Sequence, residues 1–205
     1  ENTMLVFTSD NGCSPRANFE ELAKVNHNPS YMFRGTKSDI YEGGLRVPFI
    51  VEWPAKVIKN LSTDKMISTA DFFATSADIV GYQIEDTEGE DSFSMLPLIT
   101  GEKDNGIREY TVLHSLNGSF GIRKGNWKLN ACEGSGGWSY PNHRDIKNEN
   151  LKLPVMQLYN LKDNIGETKN LISEHPEIAA ELKAALKKII LDGRSTPGAI
   201  QKNDG

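Results

Sequence analysis

The sequence predicts an α/β fold in two parts: a portion of a mixed sheet with helices, followed by a small antiparallel sheet packed by a C-terminal helix. Three observations lead to this class. Short apolar runs in the first half are stopped by turn residues, which is typical of strands. In the second half, Asn117-Gly118 lies between two strand-like runs and indicates a hairpin. An amphipathic run at residues 177–191 then predicts a long helix.

The first part comprises residues 1–105 and alternates strands with helices. Its first strand is the apolar run 4–9, which ends in a tight turn at Asn11-Gly12. An apolar run of that length indicates a buried strand. A second apolar run, 49–53, predicts another strand of the same sheet.

Two helices are expected in this first part. A short one is centred on residues 19–23. The other begins after Ser68 or Thr69, because either side chain can cap the first turn by accepting a backbone N–H. Its apolar residues recur at helical spacing and lie broadly on one side: Phe72, Phe73, Ala77 and Ile79.

The second part comprises residues 106–205. Four strands are predicted in it, at residues 110–114, 119–123, 126–129 and 158–161. Pro176 begins the closing helix, because proline is favoured at the first helical position. One stripe of that helix is apolar: Ile178, Leu182, Ala185, Leu186 and Ile189. We therefore expect the helix to pack on the small sheet.

Composition argues against several classes of protein. The formal net charge is −5 and the isoelectric point is about 5.5, so no overall basic field favours a nucleic-acid partner. No apolar stretch is long enough to span a bilayer, and no membrane span is expected. Two cysteines, Cys13 and Cys132, make no disulfide framework, and we expect free thiols.

A carboxylate and an amide, Asp10 and Asn11, directly follow the first predicted strand. Their side chains offer hard oxygen donors, which suit Ca²⁺ or Mg²⁺ better than zinc. Open α/β sheets bind ligands at the carboxyl ends of their strands, where these residues would lie. The same residue types are also common turn formers, so a metal site and a plain turn both remain possible from the pattern alone.

A lysine, Lys37, lies in a glycine-flanked loop ahead of a Glu-Gly-Gly turn at residues 42–44. Lysine is a compact cation that binds tetrahedral oxyanions as a point charge. Glu42 and Arg46 are candidates for catalytic groups as well. We favour a supporting role for them, in which an ion pair or hydrogen bonds hold the loop that carries Lys37.

These segments, FTSDNG at residues 7–12 and GTKSDIYEGGLRVPFIVEWP at residues 35–54, resemble the second half of a sulfatase of the arylsulfatase type. Runs at residues 71–81, 91–101, 122–129 and 158–171 are similar to later family motifs, in the family's order. Ser92 stands where the family usually has glycine, and Ile165 where it usually has proline. The resemblance covers nearly the whole chain and implies the alkaline-phosphatase-like fold.

The resemblance implies that Asp10 and Asn11 bind one Ca²⁺ and that Lys37 is a catalytic residue that contacts the sulfate. The family's nucleophile is a formylglycine made from the cysteine of C-x-P-x-R. The run CSPR at residues 13–16 lacks that spacing, because Ala17 stands where the motif needs arginine. We therefore expect the nucleophile and the other metal ligands in a missing N-terminal sulfatase half, and expect this fragment to be inactive alone.

Two further residues are candidates for substrate binding. His114 ends a predicted strand, where a half-buried structural histidine is the ordinary interpretation and a substrate contact is the alternative. Trp138 lies in the glycine-rich run 134–140. Its indole can stack on a sugar face, although the run can equally be a loop that wraps over the sheet.

The predicted function is calcium-dependent hydrolysis of a sulfate ester, with a sulfated carbohydrate as the substrate. The family resemblance also implies an exported enzyme, periplasmic or secreted. A phosphatase or phosphodiesterase of the same fold group is an alternative, although such enzymes generally use two transition metals and more histidine near Asp10. A non-catalytic glycan-binding or assembly module is another, because the chain carries no recognisable nucleophile.

Overall fold

A computed structural model describes residues 1–57, 60–102 and 105–202. The chain forms two compact units, each assembled from separated segments. The first unit comprises Glu1–Thr8, Pro48–Thr111 and Ala185–Gly205, and the second comprises Ser9–Val47 and Val112–Ala184. These units are groupings within this chain, so the expected domain division at residue 105 stays a prediction.

Strands and helices alternate along the described residues. The strands are β1 (Leu5–Thr8), β2 (Phe49–Glu52), β3 (Thr111–His114), β4 (Phe120–Lys124), β5 (Trp127–Asn130) and β6 (Gln157–Asn160). The helices are α1 (Phe19–Lys24), α2 (Glu42–Leu45), α3 (Phe72–Val80), α4 (Leu96–Ile99), α5 (His143–Asn148) and α6 (Pro176–Asp192). Every predicted strand and helix is confirmed, whereas the short helices α2, α4 and α5 are additions.

The first unit contains an antiparallel ribbon formed by β1 and β2, in which Phe7 lies opposite Ile50. The expected burial of the first strand is wrong, because Leu5 and Phe7 are each 63% exposed. Alternate residues of a strand point to opposite faces. Leu5, Phe7 and Ile50 share one face of the ribbon, and that face is open within the described ranges.

The capping prediction for α3 is confirmed at Ser68. Its hydroxyl accepts the Ala70 N–H, and its own N–H donates to Asp71 Oδ2 at 2.8 Å, which together form a capping box around a 3₁₀ turn. The expected apolar stripe is wrong at Phe73, which is exposed. Small residues occupy the buried side instead, and the Thr75 hydroxyl there accepts the Met95 N–H at 2.9 Å.

The second unit is built on an antiparallel sheet with the strand order β3-β4-β5-β6. The predicted hairpin lies between β3 and β4, and Gly118 adopts a φ of +81° there, which glycine tolerates best. Ile122, Leu129 and Leu158 are fully buried on this sheet. Since Ile122 and Leu129 are paired across β4 and β5, they form the centre of the core.

The first half of α6 belongs to this second unit. Its Ala179 and Leu182 are buried, and Glu181 forms an ion pair with Lys124 of β4 at 2.6 Å. The expected packing of the helix on the sheet is therefore present here. Among the described residues, no helix combines the length and apolar character needed to cross a bilayer.

Both cysteines carry free thiols, as the composition predicts. Cys132 is buried, and this burial raises the pKa of its thiol above the ordinary value. Cys13 is only partly buried.

We expect Ile122→Ala to lower the free energy of unfolding by about 2 to 5 kcal/mol, because it leaves a cavity at the centre of the second unit. Chemical denaturation measures this change. Ile200→Ala removes the same atoms from a side chain that is 73% exposed and should leave stability nearly unchanged. Equal losses in the two variants would contradict the proposed position of the core.

Candidate functional site

The two candidate metal ligands follow β1 in a bend. Asp10 is exposed, and in the described part of the chain its carboxylate has no hydrogen-bond or ion-pair partner. Asn11 donates its amide N–H to Gly12 O at 3.0 Å, and its Oδ1 atom accepts no hydrogen bond from any described residue. Both side chains thus present free oxygen atoms, the donor type that calcium binds.

A complete cation site is not formed by these residues alone. Calcium takes about six to eight oxygen ligands. Within the described ranges, no group of three or more His, Cys, Asp or Glu side chains is placed to hold a metal ion. Asp10 and Asn11 fit the donor chemistry of calcium, but their side chains supply only part of its oxygen shell.

The segment that carries Asp10 is packed against the Glu-Gly-Gly turn, which forms the single-turn helix α2. Gly12 donates its N–H to Gly44 O at 2.9 Å. A Cβ atom at Gly12 would lie 1.8 Å from the Gly43 carbonyl oxygen, so any other residue would force the two backbones apart. Glycine is therefore required at this position by close packing.

The loop that carries Lys37 is fixed to the same segment. The backbone N–H of Lys37 donates to Cys13 O at 2.8 Å, so the segments that hold Asp10 and Lys37 are in direct contact. The Lys37 side chain is partly exposed, and its ammonium has no hydrogen bond or ion pair to any described residue. A free ammonium on an anchored backbone can bind an oxyanion.

The other two candidates are carried by loops that also contact the Lys37 loop. Leu116, two residues after His114, donates its N–H to Ser38 O at 2.9 Å. Trp138 donates its backbone N–H to Ser38 Oγ at 3.1 Å, and its side chain is 51% exposed. The structural interpretation of His114 as half-buried is wrong, because the residue is exposed at the end of β3. The four candidate segments thus meet around one loop.

A buried charge network supports the Lys37 loop. The sequence pattern indicated only one ion pair of this network, between Glu42 and Arg46. Arg46 Nε lies 2.8 Å from Glu42 Oε2, which is the ion pair we favoured. The new element is Lys128 of β5, whose fully buried Nζ lies 3.0 Å from Glu42 and 3.0 Å from Glu167. Glu167 also accepts the backbone N–H of Glu42 at 2.6 Å.

The two buried carboxyls of this network differ in pKa. Burial opposes the ionisation of Glu42, but Lys128, Arg46 and Arg123 outweigh it and lower the pKa from 4.5 to about 2. Burial raises the pKa of Glu167, and the Glu42 charge adds to this effect, because the attraction of Lys128 only partly offsets them. Glu42 is therefore the charge that holds the network together.

Sequence reasoning missed Lys128, Glu167 and Asp39. Lysine in a strand is ordinarily exposed, and no local pattern marks Lys128 as buried. Asp39 is almost fully buried and accepts hydrogen bonds from the loop that carries Trp138. A signal for Asp39 was present in the glycine-rich run 134–140, since such a run permits a close approach by another backbone segment.

Comparisons with known proteins show which sequences and structures this chain resembles. The family model described as Sulfatase matches residues 1–82. An N-acetylgalactosamine-6-O-sulfatase from Bacteroides thetaiotaomicron is 34% identical over 192 residues, which cover 92% of this chain and 36% of the relative. A sulfatase from Formosa agariphila is 27% identical and is matched over 99% of this chain and 35% of its own length.

A solved structure shows the same fold. It is a 6S-sulfatase from a genetic locus for the metabolism of multiple glycosaminoglycans in Bacteroides thetaiotaomicron. The two chains superpose with a TM-score of 0.74 at 34% identity, over 92% of this chain and 38% of the other. The present chain thus spans about a third of the length of the curated relatives that it matches.

Glu42→Gln is expected to lower the free energy of unfolding at neutral pH by about 3 to 5 kcal/mol, because buried Lys128 keeps only one carboxylate. Because folding lowers the pKa of Glu42 from 4.5 to about 2, its ionised form stabilises the fold above pH 4.5. This contribution is lost as the pH falls toward 2, so the difference between wild type and variant should shrink over that range.

Urea unfolding as a function of pH measures this difference. Glu20→Gln is the matched control, because Glu20 is exposed on α1 and should give a small, constant difference at every pH. A Glu42→Gln difference that stays constant through the acidic range would contradict the assigned role of Glu42.

Proposed function

The chain belongs to the sulfatase family, and from that premise we propose that it supplies part of the active site of an enzyme that hydrolyses sulfate esters of carbohydrates. One observation carries the proposal. The backbone of Lys37 is hydrogen-bonded to the segment that holds Asp10, while the ammonium and the carboxylate both remain unpaired among the described residues. An unpaired ammonium on a fixed backbone can bind an oxyanion, and an unpaired carboxylate beside it can bind the accompanying cation.

Lys37 is the proposed catalytic cation. In sulfate ester hydrolysis a nucleophile attacks sulfur, the S–O bond to the sugar breaks, and the alkoxide leaves as an alcohol after it gains a proton. Negative charge remains on the sulfuryl oxygens throughout. A positioned ammonium stabilises that charge in the transition state more than water does, because it needs no reorganisation.

Asp10 and Asn11 are the proposed calcium ligands from this chain. Bound calcium would add a second positive charge beside the sulfate and polarise a sulfuryl oxygen. The carboxylate of Asp10 supplies the charge that holds the cation, and the amide oxygen of Asn11 extends the oxygen shell without adding charge. We place the remaining ligands and the formylglycine nucleophile in the rest of the enzyme, because residues 13–17 lack the spacing of the nucleophile motif.

His114 and Trp138 are the proposed contacts to the sugar. Both side chains are exposed, and both lie on loops that are hydrogen-bonded to the Lys37 loop. An exposed indole offers an apolar face on which a pyranose ring can stack. Since the Bacteroides relative is named for the 6-O-sulfate of N-acetylgalactosamine, that sugar is the first substrate to test. We propose a periplasmic or secreted enzyme, where polymeric sulfated glycans are encountered.

Lys37→Ala in the complete enzyme should lower kcat/KM for 6-O-sulfated N-acetylgalactosamine by roughly a thousandfold, because a charge on the reacting group loses its partner. Release of sulfate measures the rate. Lys183→Ala removes an exposed lysine of α6 and should retain wild-type turnover. Wild-type turnover by Lys37→Ala would refute the role of Lys37, and hydrolysis of phosphate esters in preference to sulfate esters would refute the proposed reaction.

Asp10→Asn should weaken calcium binding by roughly a hundredfold, because the site loses the ligand that carries its charge. Isothermal titration of the chelator-treated enzyme with Ca²⁺ measures the affinity directly. Asp64→Asn is the control, since the Asp64 side chain is almost fully exposed and its one ion pair within the described part of the chain is a 3.5 Å contact with its neighbour Lys65. Unchanged calcium affinity in Asp10→Asn would remove Asp10 from the metal site.

A further inference from the structure

Asp39 is a buried carboxylate that joins two loops of the candidate site. It is 1% exposed, and no cation pairs with it anywhere in the described ranges. On its own loop, Oδ2 accepts the Thr36 N–H at 2.7 Å. On the other loop, Oδ1 accepts the N–H groups of Trp138 and Ser139 at 2.9 and 3.0 Å. The Ser139 hydroxyl also donates to Oδ2.

The two loops approach too closely for side chains to lie between them. A Cβ atom at Gly137 would lie 2.5 Å from Asp39 Oδ1 and 2.5 Å from the Ser38 carbonyl oxygen. Ser38 itself has a φ of +87°, a strained value for a residue other than glycine. The hydroxyl of Ser38 accepts the Trp138 N–H as a second partner. The contact is therefore specific and tightly packed.

The position of Asp39 relates these contacts to the proposed reaction. It lies two residues after Lys37 and accepts directly from the backbone of Trp138. Hydrogen bonds to a carboxylate are stronger than those between neutral groups, and satisfied buried networks rigidify their surroundings. The spacing between the backbone that carries the proposed sulfate-binding ammonium and the loop that carries the proposed sugar platform is thus held largely by Asp39, together with the Ser38 hydroxyl.

We infer that Asp39 is a positioning residue that fixes the Trp138 loop against the Lys37 loop, so that one sulfated sugar meets both at a set spacing. This inference rests on the proposed function. A substrate that engages both loops depends on the spacing, because small misplacements of bound groups are costly to the rate. An aryl sulfate without a sugar uses the sulfate-binding side alone and depends on it much less.

The contact itself is tested by hydrogen–deuterium exchange of the complete enzyme. In Asp39→Asn one of the two acceptor oxygens becomes an N–H donor, so hydrogen bonds to one of the loops are lost. Exchange of the amides at residues 36 and 138–139 should accelerate by about tenfold or more. Asp163→Asn is the matched control, because the exposed Asp163 accepts the Asn160 side-chain N–H at 2.8 Å and, among the described residues, contacts neither loop, so those amides should stay protected.

The consequence for substrate binding is tested by steady-state kinetics. Asp39→Asn should raise KM for 6-O-sulfated N-acetylgalactosamine by about tenfold and change KM for 4-nitrophenyl sulfate by less than about threefold. Gly137→Ala should give the same pattern, because its methyl group displaces the Trp138 loop while Asp39 is retained. A merely structural role would instead lower activity on both esters in parallel with the folded fraction, and this result would overturn the inference.

Failure of the inference differs from failure of the proposed function. Unchanged exchange at residues 36 and 138–139 in both Asp39→Asn and Gly137→Ala would overturn the inference, whatever the activity. Ser139→Ala removes one hydroxyl, which donates to Asp39 and lies 3.4 Å from Thr36 Oγ1, and it provides the same exchange test if Asp39→Asn does not fold. A wild-type enzyme that hydrolyses neither ester would overturn the proposed function and, with it, the role of Asp39 in positioning the substrate. The exchange result would still decide whether Asp39 joins the two loops.

Discussion

The candidate site depends on the buried ion pairs that the Lys128 ammonium forms with two carboxylates. Removing a charge from water is costly unless close partners compensate, and here Glu42 and Glu167 both lie 3.0 Å from the Lys128 nitrogen. Glu42 begins α2, and the two glycines that follow it meet the segment of Asp10. The sheet therefore positions the segment of the proposed metal ligands mainly through the buried Lys128, and Arg123 of β4 lies 3.7 Å from Glu42 as well.

Hydrogen-bonded polar side chains lie next to Lys128 and its partners, and they fix the positions of the surrounding core residues. The Arg34 guanidinium lies 3.9 Å from the centre of the Tyr41 ring and donates to the Glu167 carbonyl at 2.9 Å. The hydroxyls of Tyr41 and Tyr159 both donate to Gln157 Oε1, at 3.0 and 2.7 Å. Burial raises the pKa of Tyr159 to about 12 and that of Tyr41 further, so both stay neutral donors.

Strand and helix positions were predictable because they follow from local rules. The Asn117-Gly118 turn and the proline at residue 176 each constrain the backbone by themselves. The contact between the Asp10 and Lys37 segments followed from motifs in a fixed order, which the family resemblance supplied. Burial was harder to predict, because it depends on contacts with residues far away in the sequence: Leu5 and Phe73 are exposed although both lie in apolar runs.

The charged interior was the least predictable part. Lys128 and Glu167 are separated by 39 positions along the sequence, and only the folded sheet brings them together. Asp39 was equally hidden, since its partners lie about a hundred residues away at Trp138 and Ser139. Side chains with paired roles of this kind carry no periodic signal, so a single sequence does not distinguish them from ordinary surface charges.

The ribbon of β1 and β2 has a practical consequence for anyone who produces this chain in isolation. One of its faces presents Leu5, Phe7 and Ile50 to solvent. An exposed apolar face of this kind favours association with another copy and promotes aggregation. Expression trials of the chain by itself should therefore be limited by solubility, and lysine in place of Phe7 is the simplest remedy because a charged strand resists stacking.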